Sequence, residues 1–412
     1  MSEHYDALET RSSSERADAL AQQLPEFIGR AQADAPHYAR SLAGIAPQDI
    51  TSIAALAALP VLRKSALIEQ QKALPPLGGL NTEPLPRMLR VFQSPGPIYE
   101  VHGRSYDGSR AARTLFAAGF RPGDLILNTF AYHFTPAGHM LEAGAAQLGC
   151  PVFPAGTGQS ELQARAIHDL KPAGYMGTPS FLNILLEKAS ELGLDASSLK
   201  HASVSAEPFP PSLRASFAAR GVAAYQTSGT AELGLVAYET EAVDGLVVAE
   251  NAIVEIVRPG TGDPVPDGEV GEVVVTVLDN PAYPLIRFAT GDLSAVLPGP
   301  CPTGRTNRRI RGWLGRADQT TKVRGMFVHP EQVAEVVRRH PEIQRARLVV
   351  TSADHRDILT LRCEVGSQPV HLQTAVAATL RDVCKLRGEV ELVASGTLPN
   401  DGKVIADERD FK

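Results

Sequence analysis

The chain has 412 residues, and single hydrophobic cores split at roughly 250–300 residues, so two domains are expected. With 40 Lys and Arg against 46 Asp and Glu the net charge is −6, which argues against a nucleic-acid-binding face and leaves room for a local positive pocket for a small anion. Hydrophobic residues at 43 % and charged residues at 21 % exclude disorder over most of the chain, and 35 Gly with 31 Pro point to many tight connections.

The start, Met1-Ser2-Glu3-His4, is polar and acidic and is not expected to be a signal peptide. No apolar run approaches the roughly 18 residues that span a bilayer, so no membrane partner is expected. Cys150, Cys301, Cys363 and Cys384 lie far apart without paired spacing and are read as reduced thiols of a cytoplasmic protein.

Residues 12–72 carry helical periodicity through Ala17, Leu20, Leu24, Phe27 and Ile28, with a further helix at Leu67 and Ile68. From 105 to 230 short apolar runs alternate with amphipathic stretches. The runs are Leu125–Leu127, Cys150–Phe153, Gly174–Met176, Ala202–Val204 and Val222–Tyr225; the stretches are 105–119, 136–148, 159–170, 180–193 and 211–220. Parallel strands need crossovers, so this alternation predicts an α/β fold whose ligand site lies beyond the strand carboxyl ends. Residues 245–297 read as antiparallel ribbons. Past Gly312-Trp313-Leu314-Gly315 a smaller α+β unit is expected, with helices at 330–339 and 371–386 and strands at 345–352, 357–365 and 390–395.

Several motifs in fixed order then name a family. Tyr283-Pro284-Leu285-Ile286-Arg287-Phe288-Ala289-Thr290-Gly291-Asp292-Leu293 is followed by Gly315-Arg316-Ala317-Asp318 and later by Gly402-Lys403. With Leu59–Lys64, Thr178-Pro179-Ser180 and Ala206-Glu207-Pro208, this set resembles the phenylacetate:CoA ligase branch of the adenylate-forming enzymes over nearly the whole chain. The resemblance implies a large N-terminal domain with mixed, mostly parallel sheets (1–317) and a small mobile C-terminal α+β domain (318–412). It also implies ATP-dependent activation of a carboxylic acid, aryl by expectation, with transfer to CoA; ATP/AMP, Mg²⁺ and CoA are the cofactors, and a homodimer is suggested.

The resemblance assigns roles that chemistry supports. Asp292 would accept the ribose hydroxyls, and Arg316 would offer a planar, always charged donor to phosphate and ribose oxygens. Ser205, Ala206, Glu207 and Pro208 would edge the adenine and Tyr225 would stack near it. Glu232 would help hold Mg²⁺, since hard cations want oxygen ligands; the blander reading puts it in the first turn of a helix. Asp318 occupies the hinge position for domain rotation. Lys403 would bridge the substrate carboxylate and the α-phosphate as charge develops. Tyr132, His133, Phe134, Gly138, Gly177, Thr178 and Phe181 would line an apolar pocket for the acid; His133 and His139 are candidate acid–base groups there, against the commoner reading of satisfied or exposed loop histidines.

Two departures from the family pattern matter. Family members wrap the β- and γ-phosphates with a Ser/Thr/Gly-rich loop ending in Gly-Lys. Here the stretch is Phe92-Gln93-Ser94-Pro95-Gly96-Pro97-Ile98-Tyr99-Glu100: two prolines lack N–H groups, no lysine is present, and Glu100 would repel a triphosphate. The other departure concerns a zinc site of some members, whose positions fall at Thr240, Val247, Cys301 and Thr303; one thiolate makes no tetrahedral site, so no zinc is expected. The rival readings are a non-catalytic nucleotide- or acyl-adenylate-binding homologue and acyl transfer to an acceptor other than CoA.

Overall fold

The computed structural model describes residues 3–409 except 95–97, 107, 318, 320, 324–325, 354–355 and 368. Contacts divide the chain into two compact units, one of Met1–Val254, Val275–Phe288 and Leu297–Gly312, the other of Glu255–Val274, Ala289–Val296 and Trp313–Lys412.

The first unit is organised by strands β1 (Ile126–Asn128), β2 (Val152–Pro154), β3 (Gly174–Gly177), β4 (His201–Val204), β5 (Ala223–Thr230), β6 (Gly234–Tyr238), β7 (Leu246–Val248) and β8 (Arg309–Ile310). They lie in the order β8-β7-β6-β5-β4-β3-β1-β2. Strands β1 to β5 pair in parallel, and β5/β6, β6/β7 and β7/β8 are antiparallel. Side chains alternate between the faces of a strand, and that alternation sorts the helices. Ile126 and Met176 face helices Ser109–Ala117 and Ala137–Leu148, whereas Leu127 and Tyr175 face Ser160–Leu170, Pro179–Glu191 and Pro211–Ala219. Both faces of the parallel strands are thus buried, as such sheets require. The N-terminal helix Ser13–Asp34 starts at a capping box, Ser12 with Glu15, and buries Leu24, Phe27, Ile28 and Ala31.

In the second unit β9 (Ile343–Ala353), β10 (Arg356–Val365), β11 (Glu389–Ala394) and β12 (Ile405–Asp407) form a sheet in the order β11-β10-β9-β12. The central pair is antiparallel and both outer pairs are parallel. Helices Pro330–Arg338 and Leu372–Cys384 bring Val333, Val336, Val376 and Leu380 onto Leu348, Val350, Leu359 and Leu361. Two elements lie outside the periodicity reading: the hairpin Thr321–Val323 with Met326–Val328, and β12, which begins two residues after Lys403.

Candidate active site

The turn between β5 and β6 carries Glu232. No helix begins there, which corrects the first-turn reading: Thr230 and Gly234 pair across the ladder, and the turn leaves no room for helical hydrogen bonds. Arg110 fixes this turn, donating from Nη1 to the Leu233 and Leu235 carbonyls at 2.8 and 2.7 Å, while its Nε pairs with Asp279 at 2.6 Å. The Glu232 side chain is fully buried, and the Lys64 ammonium lies 2.7 Å from its Oε1.

Close by, the stretch from Phe92 to Glu100 is a hairpin of strands Arg90–Ser94 and Ile98–His102, with Phe92 opposite Glu100; Pro95, Gly96 and Pro97 lie outside the described residues. Glu100 is buried. Burial pushes its carboxyl up to about 7, with the Glu232 charge adding to the rise and Ser94 and Lys64 opposing it. His102 stacks on Tyr106 at 3.9 Å, and burial, with Arg90, Arg110 and His139 nearby, lowers it to about 3, so it is neutral.

At the carboxyl ends of β3, β4 and β5 the loops converge. Ser205 N–H donates to the Gly177 carbonyl at 3.2 Å and its Oγ to the Thr227 carbonyl at 2.8 Å. The Ser180 amide donates to the Glu207 carboxylate at 3.3 Å, and Thr178 caps helix Pro179–Glu191 by accepting from Phe181 N–H. Ala206 holds a φ of +69°, an unusual conformation for alanine that turns the chain sharply before the exposed Pro208. Tyr225 lies beside Ser203 in the ladder, half-buried, on the face of Ile126 and Met176. A Cβ at Gly177 would sit 2.0 Å from Thr129 Oγ1 and 2.2 Å from the Tyr175 hydroxyl, so glycine here admits that polar pair rather than widening a pocket.

The residues expected around the acid are dispersed. Asn128 Nδ2 donates to the Tyr132 hydroxyl at 2.8 Å and to the Gly138 carbonyl at 2.9 Å. Burial and then the Glu142 carboxylate raise the Tyr132 phenol, which stays neutral. Tyr132 meets His139 edge-on, whereas His133 is exposed and Phe134 is 74 % exposed. Phe181 packs on the opposite layer, with Leu127, Leu182 and Leu185.

The second unit gathers the charged groups. Thr290-Gly291-Asp292 lies inside the strand Leu285–Ser294, and its middle position needs glycine: its φ is +75°, and a Cβ would approach Arg316 Nη2 to 2.6 Å. Asp292 Oδ1 accepts from Arg316 Nη1 at 3.0 Å and from Trp313 Nε1 at 3.1 Å. Arg316 and Lys403 line one cavity of about 300 Å³ together with Arg347, Gln319 and Asp401. Lys403 N–H donates to Asp401 Oδ1 at 3.0 Å, and Asp401 pairs with Arg347. Gln319 ties the loop down, donating to the Gly402 carbonyl and accepting from the Val404 and Ile405 amides. Asp318 lies outside the described residues.

Reading the sequence missed Lys64, Arg110 and Trp313 as site residues. Lys64 and Trp313 stood inside quoted motifs, but their partners Glu232 and Asp292 are distant in sequence and no spacing links them.

At the zinc positions, Cys301 Sγ lies 3.1 Å from Thr303 Oγ1, which accepts from Arg305 at 2.9 Å, and Val247 packs with Tyr238 and Cys301 in an apolar cluster. Metal analysis of dialysed protein is expected to find far less than one zinc per chain; stoichiometric zinc would refute this.

Residues 106–277 match the AMP-binding enzyme family. The phenylacetate-coenzyme A ligase of Aromatoleum evansii is 32 % identical over 88 % of this chain and 84 % of its own length. That of Escherichia coli K12 is 31 % identical over 97 % and 95 %. A 2-hydroxyisobutyryl-CoA ligase, solved in an open conformation with 2-HIB-AMP and CoA, superposes with a TM-score of 0.74 at 28 % identity, covering 97 % of this chain and 92 % of that one. Among the described residues no helix is long and apolar enough to cross a membrane. With likeness to several ligases over most of its length, the chain belongs to the AMP-binding, adenylate-forming enzymes, in their phenylacetate-CoA ligase branch.

Proposed function

We propose that this enzyme joins a carboxylic acid, aryl by preference, to CoA in two steps that together consume one ATP. First, a carboxylate oxygen attacks the α-phosphorus of ATP, the bond to the β-phosphate oxygen breaks, and pyrophosphate leaves. The CoA sulfur, having lost its proton, then attacks the acyl carbonyl carbon and AMP departs. The observation that carries the reading is that Arg316, paired with Asp292, and Lys403 line one cavity, bordered also by Arg347 and by the carboxylates Asp401, Asp407 and Glu408; there the two cations would meet an anionic phosphate as charge develops.

Within this reading Asp292 receives the ribose hydroxyls, Ser205 to Pro208 and Tyr225 border the base, and residues 318–412 turn about Asp318 between the steps. The Glu232 carboxylate suits a hard cation, because both oxygens are buried and accept no hydrogen bond. Bound there, Mg²⁺ would neutralise phosphate charge; Arg110 keeps the turn aimed. Cytoplasmic residence and a homodimer complete the proposal.

Pyrophosphate release across a panel of aryl acids tests the function directly; none with any acid would sink it. Asp292→Ala is expected to weaken AMP binding by about 1.5–3 kcal/mol, the loss of hydrogen bonds to a charged group. Unchanged affinity by calorimetry would remove Asp292 from the site.

A second reading, an adenylate-binding homologue, is favoured by the hairpin that replaces a phosphate loop and buries a carboxyl at Glu100. On either reading AMP is expected to bind at least as tightly as Mg-ATP. Competitive titration checks it: ATP ten-fold tighter, about 1.4 kcal/mol, would mean that other donors hold the β- and γ-phosphates.

A further inference from the structure

Glu232 has an unusual environment for a buried carboxylate. Its side chain has no exposed surface, and such groups ordinarily draw several donors. Here neither oxygen accepts a hydrogen bond, and the 2.7 Å approach of Lys64 is an ion pair without hydrogen-bond alignment. Both Glu100 oxygens are likewise buried, with the Ser94 hydroxyl beside them. Two carboxylates therefore share the field of one ammonium.

Lys64 is partly exposed. Its side chain is 35 % exposed on a flexible stem, and it is the first residue of helix Lys64–Ala73, where the helix dipole disfavours a positive charge. Attraction to Glu232 keeps it there. A hard cation offers that carboxylate more than an unaligned ammonium does, and two cations on one carboxylate repel.

We propose that Lys64 is a placeholder for a divalent cation on Glu232. Its ammonium neutralises the carboxylate in the nucleotide-free protein and withdraws toward solvent when the cation enters. The inference rests on the reading of Glu232 as the cation ligand and adds a competitor built into the chain.

The test uses Mn²⁺ alone, without nucleotide, followed by electron paramagnetic resonance and by thermal unfolding of the full chain. Lys64→Met is expected to bind Mn²⁺ at least ten-fold tighter than wild type and to gain several degrees in Tm with Mn²⁺, while wild type barely moves. Lys64→Arg, which keeps the charge, is expected to bind no tighter than wild type. Adding Glu232→Gln to Lys64→Met should abolish the gain. Should Lys64→Met not fold, Lys64→Gln replaces it with the same expectation. Equal Mn²⁺ affinity in wild type and the neutral variant, or a gain that survives Glu232→Gln, overturns the placeholder. Failure of the enzymatic reading is separate: it shows as no pyrophosphate release by wild type, whatever Mn²⁺ does.

Discussion

Replacing Lys403 by alanine is expected to lower acyl-adenylate formation by about 10²-fold or more, the scale of removing one preorganised electrostatic contact. Transfer from a supplied acyl-adenylate to CoA is expected to survive within roughly ten-fold, because the proposed rotation about Asp318 would take the lysine away from the second step. The loop itself should persist. Its backbone is held by Gln319 and by Asp401, which Arg347 anchors, and the exposed Lys403 side chain is no part of that scaffold. A Tm near that of wild type would exclude unfolding as the cause. Pyrophosphate release and thioester formation are assayed separately; equal losses in both would contradict the rotation.

Glu100→Gln is expected to stabilise the nucleotide- and metal-free protein at pH 8 and to change little at pH 4. The folded protein holds the Glu100 proton more tightly than the unfolded chain does, with the carboxyl raised from 4.5 to about 7 chiefly by burial. Below pH 4.5 both states are protonated and no penalty exists. As pH rises from 4.5 to 7 the unfolded chain ionises first, so wild type loses stability, by roughly 3 kcal/mol in all, and above pH 7 the loss is complete. Glutamine is nearly isosteric with the protonated acid and escapes this loss. Urea unfolding at the two pH values measures the difference, and an equal effect of the substitution at both would remove Glu100 from its buried, charge-crowded setting.

The parallel strands were legible because each is a short apolar run between amphipathic helices; each run overlaps one of β1 to β5, although β5 continues past its run to Thr230, where it pairs with β6. The glycines Gly291 and Gly402 stood out because the backbone conformation each supplies, with a positive φ, is a local demand. Glu232 was ambiguous, since a short acidic segment after Thr-Ser-Gly-Thr fits a helix start as well as a tight hairpin, and only pairing with β6 decides. The inward orientation of Glu100 was hidden too. In a hairpin the face of each side chain depends on register, and register depends on pairing with Phe92 across the turn. Residues of the acid pocket were inferred from proximity in sequence to strand ends, yet Tyr132 and Phe181 lie on opposite layers of the sheet.

All four cysteines are buried and unbridged, and burial raises Cys150 and Cys384 to about 11 and Cys363 to about 12. A protein proposed to handle a thiol co-substrate thus keeps Cys150, Cys363 and Cys384 protonated, and all four sulfurs are buried. Thiolate is the reactive form, so these side chains are poor partners for mixed disulfides with CoA and poor targets for alkylation. In practice a maleimide or disulfide reagent added to the folded enzyme and CoA would report on the nucleotide thiol alone, and a cysteine introduced at any exposed position would take a spectroscopic label without removal of the native four.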